Sequence, residues 1–389
     1  MGVAANIWKM NGQRFLASFW LIAPMLVPYY EANGLSASDV YLIQAYFAGF
    51  LLLSEVPSGY ISDVMGHKKT LIMASVFMPL GIVIYVLNHS FWGFVFAEVF
   101  LALNASLRSG TDSALLYNSL KDMEGEKDYA KVEGTAFFYQ QAGHSLGDIL
   151  GGVTTMVSLR FTFWINALTA SFLLPLSLGL TAPSQKKQNK QALRLHVRDL
   201  VRAVKYCGRH KMVRYASIYL AAITGLHIFA YWSCFLFYGQ IGIPVAWFGC
   251  VAAAGSFMGG VGAKLLPWFE RRWGRPAALF VPLLAAPFLT TIGWMNNFGA
   301  MLFVFLDGIV WGFAIPLLRD ILNEHARHHI RATVLSVEGM GERIVYIVTA
   351  LVLGHFVEAT SVQTGFILLG PILLACCAWP AYRLAKLTG

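Results

Sequence analysis

Ionisable side chains interrupt several long apolar stretches of this sequence: Glu98, Arg108 and Asp112; His144 and Asp148; Asp307; and Glu338, Glu342 and Arg343. An ionised, unpaired carboxylate in hydrocarbon costs several kcal/mol, so each such group must be protonated, paired or turned towards water. His144 precedes Asp148 by four residues, which puts both on one helical face. A carboxyl beside an imidazole is suited to carrying a proton, and these two are the expected proton-coupling pair. A neutral, hydrogen-bonded aspartate inside a packed interface fits the same residues. Arg108 and Asp112 share the spacing and read as a self-neutralising pair, and they stand with His144 and Asp148 as proton-coupling candidates. Glu338 and Glu342 repel one another at that spacing, so one of them is protonated or a cation sits between them. Glu98, Asp307, Glu338 and Glu342, with the aromatics Trp20 and Tyr46, are candidates for lining a substrate cavity. That many acids suit a cationic or zwitterionic compound better than an anion.

These groups require membrane helices to hold them. Of the 389 residues, 57% are hydrophobic and only 13% charged, which excludes a soluble globule with one buried core and leaves a polytopic membrane protein. Twelve apolar runs are long enough to span a bilayer, the first at roughly residues 14 to 31 and the last at 362 to 383. Allocating Lys and Arg to alternate sides places 26 of the 29 on one side; Arg160 alone falls on the other, while Arg108 and Arg343 lie inside spans. The positive-inside rule then makes both termini cytoplasmic and the net charge of +9 a topology signal, with no nucleic-acid partner implied. Residues 182–212 form the one long hydrophilic stretch and divide six spans, 1–181, from six more, 213–389. Within it Leu193, Val197, Leu200, Val201 and Val204 recur at helical spacing among Arg194, Arg198, Arg202 and Lys205. That pattern predicts either an amphipathic helix on the anionic cytoplasmic leaflet or a solvated tether.

The hairpin between the second and third runs reads Gly59-Tyr60-Ile61-Ser62-Asp63-Val64-Met65-Gly66-His67-Lys68-Lys69. Its pattern G-x-x-x-D-x-x-G-H-K-K resembles the signature loop of the major facilitator superfamily, with His67 at a position usually more basic. The resemblance implies two six-helix bundles that rock about a central cavity, and a latch in which Gly59, Asp63, Gly66, His67, Lys68 and Lys69 meet the helix carrying Arg343. A second stretch, Gly134 then Gly143-His144-Ser145-Leu146-Gly147-Asp148-Ile149-Leu150-Gly151-Gly152, is similar to the fifth-helix motif of the drug/proton antiporter branch. Asp148 stands where that motif has proline. Glycines at this spacing also serve close helix packing by themselves. The halves echo one another faintly: Trp273-Gly274-Arg275 parallels the first hairpin, but Arg271 stands opposite Asp63.

The expectation is a monomeric secondary transporter of the inner or plasma membrane, and not an enzyme. It exports a small amphipathic or cationic compound against protons, and needs only that substrate, protons and the lipid bilayer as partners. Import of a nutrient, lipid flipping, or a non-transporting sensor on the same scaffold are the alternatives. No cofactor is expected: the five cysteines have no metal-ligand spacing, and His325, His328 and His329 beside Glu324 read as a solvated loop rather than a metal site.

Overall fold

A computed structural model describes residues 3–184, 192–327 and 330–388. Among these the chain is helical throughout, with seventeen α-helices and no strand. In hydrocarbon only a helix satisfies every backbone N–H and C=O within its own segment, so the apolar runs have no other regular option. In chain order the helices are α1 (Asn6–Ser18), α2 (Leu26–Ala32), α3 (Ala37–Met65), α4 (His67–Leu87), α5 (Phe91–Arg108), α6 (Thr111–Lys121), α7 (Tyr129–Thr155), α8 (Leu159–Ser171) and α9 (Leu173–Leu178). They continue with α10 (Ala192–Arg209), α11 (Lys211–Gln240), α12 (Val245–Trp273), α13 (Arg275–Ala278), α14 (Ala285–Trp294), α15 (Ala300–His325), α16 (Arg331–Ala359) and α17 (Val362–Thr388).

Eleven helical segments among the described residues have the length and apolarity to cross a membrane. The run expected as the fifth span, now within α7, is not among them. At 27 residues it is long enough, but Gln140, Gln141, His144, Ser145 and Asp148 dilute its apolar content.

Two runs that look continuous in sequence are broken in space. The first starts earlier than expected, at Asn6, and is interrupted between Ser18 and Leu26. Asn166 of α8 repairs that break, donating to the Phe19 carbonyl at 3.2 Å and accepting from the Ile22 amide at 3.4 Å. The fourth is cut at Ser109–Gly110, where Gly110 adopts φ +72°. Asp112 therefore sits in the first turn of a new helix, not one turn along the helix of Arg108.

The chain resolves into two compact units: 1–35, 49–197 and 244–253 in the first; 36–48, 198–243 and 254–389 in the second. This differs from a simple division at the linker, because the first turns of α3 and of α12 each group with the opposite unit. Within the first unit α7 lies against α1 through glycines. A Cβ at Gly143 would stand 2.3 Å from the Phe15 carbonyl oxygen, and one at Gly151 only 2.1 Å from that of Leu21. The start of α12 crosses the same helix, where a Cβ on Gly249 would fall 1.8 Å from the Asp148 carbonyl oxygen. Gly143, Gly147, Gly151 and Gly152 of the fifth-helix motif are thus consumed by close backbone contact, and Gly134 is not.

Candidate functional site

The signature hairpin closes in a single residue. Gly66, at φ +90° and ψ 147°, is the whole connection between α3 and α4, a conformation L side chains resist. Its amide bonds the Ser62 carbonyl at 3.1 Å, and the Ser62 hydroxyl pairs with Nδ1 of His67 at 2.9 Å. Thr111, at the start of α6, donates to the same Ser62 hydroxyl at 3.0 Å. His67 is therefore held by hydrogen bonding at the turn, while Lys69 is exposed. Asp63 and Gly59 line the last two turns of α3.

The second unit repeats this turn with its charges rearranged. Gly274, at φ +82° and ψ 160°, is again the one residue between two helices, and its amide bonds the Glu270 carbonyl at 2.9 Å. Arg275 fills the place of His67 and is clasped by three acids: Glu270 at 3.5 Å, Glu324 at 2.7 Å, and Asp320. Sequence comparison of the two hairpins misses this lock because two of its acids come from α15, 45 and 49 residues further on.

Inside the first unit the charges organise around Arg14, which sequence reading placed at the cytoplasmic margin. Its side chain is only 4% exposed; Nε pairs with Asp112 at 3.1 Å, and Nη2 with Glu133 at 2.7 Å. Ser113 bridges them, accepting from Arg14 at 2.8 Å and donating to Glu133 at 2.9 Å. The ion-pair partner of Asp112 is thus Arg14 and not Arg108. Arg108 donates instead to the side-chain oxygen of Gln13 at 2.9 Å. The expected Arg108–Asp112 pair is replaced because the helix ends between them.

Asp148 is buried on α7, whereas His144 one turn earlier is exposed. Among the described residues no ion pair joins them. Helix α12 covers the Asp148 backbone at Gly249. Glu98 lies within an aromatic cage, accepting from the hydroxyls of Tyr85 and of Tyr30, with Phe94 stacked on Tyr85. This makes it an internal packing acid of the first unit. Trp20 sits in the break after α1, against Gly147, and Tyr46 lies half-exposed on α3.

In the second unit Asp307 is 5% exposed and pairs with Nδ1 of His227 at 3.2 Å. Trp311, one turn along α15, stacks on the His227 ring with centroids 4.6 Å apart and planes 16° from parallel. Sequence reading named Asp307 and missed His227, although a histidine within the apolar run of α11 is itself a signal. Glu338 is buried on α16 with Glu342, Arg343 and, from α15, Arg319 as charged neighbours. His328 and His329 lie outside the described residues, and no metal-binding cluster occurs among those described.

All-helical units, apolar segments of membrane-crossing length and ionisable groups buried along them define a polytopic membrane transporter. The profile of the Major Facilitator Superfamily matches residues 15–347, and the chain belongs to that family. In sequence it is 26% identical over 212 residues to the uncharacterized MFS-type transporter EfpA of Mycobacterium tuberculosis, covering 52% of this chain but only 37% of that protein. In fold it is similar to the nucleoside transporter NupG, with TM-score 0.79, 12% identity, and 98% and 99% of the two chains covered. A bacterial homolog of the human lysosomal transporter Spinster, inward-facing and unoccupied, gives TM-score 0.77 at 14% identity over 99% and 97% of the chains. A D-xylose–proton symporter gives 0.71 at 13% over 97% and 96%.

Proposed function

We propose that this transporter exports a small amphipathic or cationic compound in exchange for protons, by alternating access, with α7 as a twelfth span and both termini cytoplasmic. The observation that carries the proton coupling is Asp148: a carboxyl buried on α7, at a helix crossing, with no ion-pair partner among the described residues. A lone acid in such a place is retained at a cost unless it exchanges a proton. The acids Asp307, Glu338 and Glu342 favour a cationic or zwitterionic substrate. The hairpin of Asp63, Gly66, His67, Lys68 and Lys69 is read as a gating element. Proton-driven import is the second reading; a solved D-xylose–proton symporter shares this fold. At such low identity the likeness speaks for the fold alone.

The deciding experiment is a thermal-shift screen of the detergent-purified protein against cationic amphiphiles, nucleosides, sugars and lysolipids at pH 6 and pH 8, with Asp148→Asn alongside. A ligand that binds the folded state raises the melting temperature with its occupancy. Cationic amphiphiles should stabilise the wild type more at pH 8, and the variant should lose that difference. Stabilisation by a sugar or nucleoside alone, equal at both pH values, would overturn export of a cation in favour of import.

A further inference from the structure

The His227–Asp307 ion pair joins α11 to α15 in the second unit. Asp307 keeps one carboxylate oxygen, Oδ1, buried with no hydrogen-bond partner, and Trp311 Nε1 is buried in the same condition. A carboxylate this deeply buried normally gathers two or three donors. Among the described residues the one ion-pair partner of Asp307 is the His227 imidazole. From α3, Tyr41 stacks on Phe229 and bonds the Ser233 hydroxyl. From α11 the ionisable groups facing Asp307 are Cys234 and Tyr238. From α12 the facing stretch is Gly255–Gly262, which packs on Gly308, Ile309 and Gly312 and holds no ionisable side chain. Helix α14 has none either. From α17 the nearest is Cys377, beside Tyr219 two turns away from His227. From α16 the Glu342 carbonyl passes Gly225, but Glu338, Glu342 and Arg343 interact with one another and with Arg319.

We propose that His227 and Asp307, roofed by Trp311, are a proton-binding site of the second unit, separate from Asp148. The proton reaches the pair through His227, whose side chain is about one-fifth exposed, more than that of Asp307. It resides on the imidazole, whose charge the carboxylate cancels. With the proton present the pair is neutral overall; without it, a buried carboxylate remains with one neutral donor. No covalent bond changes, and the proton returns to water by the same route. Its use in transport rests on the proton-coupled reading above, but its chemistry does not.

The stacked indole provides the readout, because a protonated imidazole in contact with tryptophan quenches its fluorescence and a neutral one does so far less. Full-length protein in detergent is titrated from about pH 8 to pH 5, the interval in which imidazoles change charge, and the emission of Trp311→Phe is subtracted. Expected is a fall in the Trp311 component with a single midpoint, abolished in His227→Gln and displaced in Asp307→Asn but not in Asp148→Asn. His227→Phe keeps the ring stack without the proton and serves if the glutamine variant fails to elute as a single species. Emission that stays flat in the wild type, or falls equally in both histidine variants, overturns the site. A normal Trp311 titration with no pH effect of Asp148→Asn on ligand binding leaves this site standing and removes the Asp148 coupling.

Discussion

One guanidinium fork holds the interior charges of the first unit, because Arg14 reaches both Asp112 and Glu133 while itself buried. Removing one partner of a buried pair leaves the others uncompensated, at a cost of about 3 kcal/mol, the lower end of the usual range since both acids are partly exposed. Arg14→Gln should therefore lower the melting temperature markedly in detergent. Arg14→Lys should recover only part, since an ammonium cannot span two carboxylates in a fixed plane. At Asp63 the outcome separates gating from binding. Asp63→Asn should slow exchange in proteoliposomes while leaving the ligand-induced thermal shift nearly intact, and a large loss of ligand binding would contradict the gating role. Residue roles were only partly legible in the sequence. Asp112 and Asp307 announce themselves as acids in apolar runs, but their partners do not: Arg14 looked like a flanking charge, and His227 is 80 residues from Asp307 in the chain.

Helix packing puts its strictest demands on backbone contacts. Gly151→Ala and Gly249→Ala would each force a Cβ to about 2 Å from a carbonyl oxygen, so both should abolish a monodisperse elution peak. Gly134→Ala, with nothing within 4 Å, should behave as wild type. Gly134 and Gly151 belong to one motif in sequence, and only the course of α1 separates them. Helix α10 shows the opposite kind of exposure. Val197, Val201 and Val204 form an exposed apolar stripe beside Arg198, Arg202, Lys205 and Arg209, while Ala203 and Cys207 are buried and Tyr206 donates to the His325 carbonyl at 2.9 Å. The side chains of Leu193 and Arg194 lie outside the described residues. An apolar stripe flanked by cations fits an anionic leaflet. Backbone amides of 197–209 should exchange hydrogen more slowly in nanodiscs with phosphatidylglycerol than in phosphatidylcholine alone, and equal exchange would favour the solvated tether.

Across the whole molecule the two glycine hinges, Gly66 and Gly274, preserve one backbone geometry over different side chains. The repeat is thus retained as shape where it has faded as sequence. Charge follows the same rule. Basic residues gather at both hinges, but at the second Arg275 is surrounded by acids. Arg275→Ala should accordingly destabilise more than Lys69→Ala in the same thermal assay, because it strands Glu270, Asp320 and Glu324 together while Lys69 is exposed.

The sequence by itself determined that this is a helical membrane protein of the Major Facilitator Superfamily. Apolar run length, the side bias of Lys and Arg, and the Gly59–Lys69 pattern are local properties that survive without knowledge of neighbours. The tertiary structure alone decided where helices break, which charges meet and which glycines are indispensable. A break needs a partner such as Asn166 to satisfy the freed backbone groups, and the ion pairs join residues 80 to 119 positions apart. No periodicity along a single helix encodes such distances.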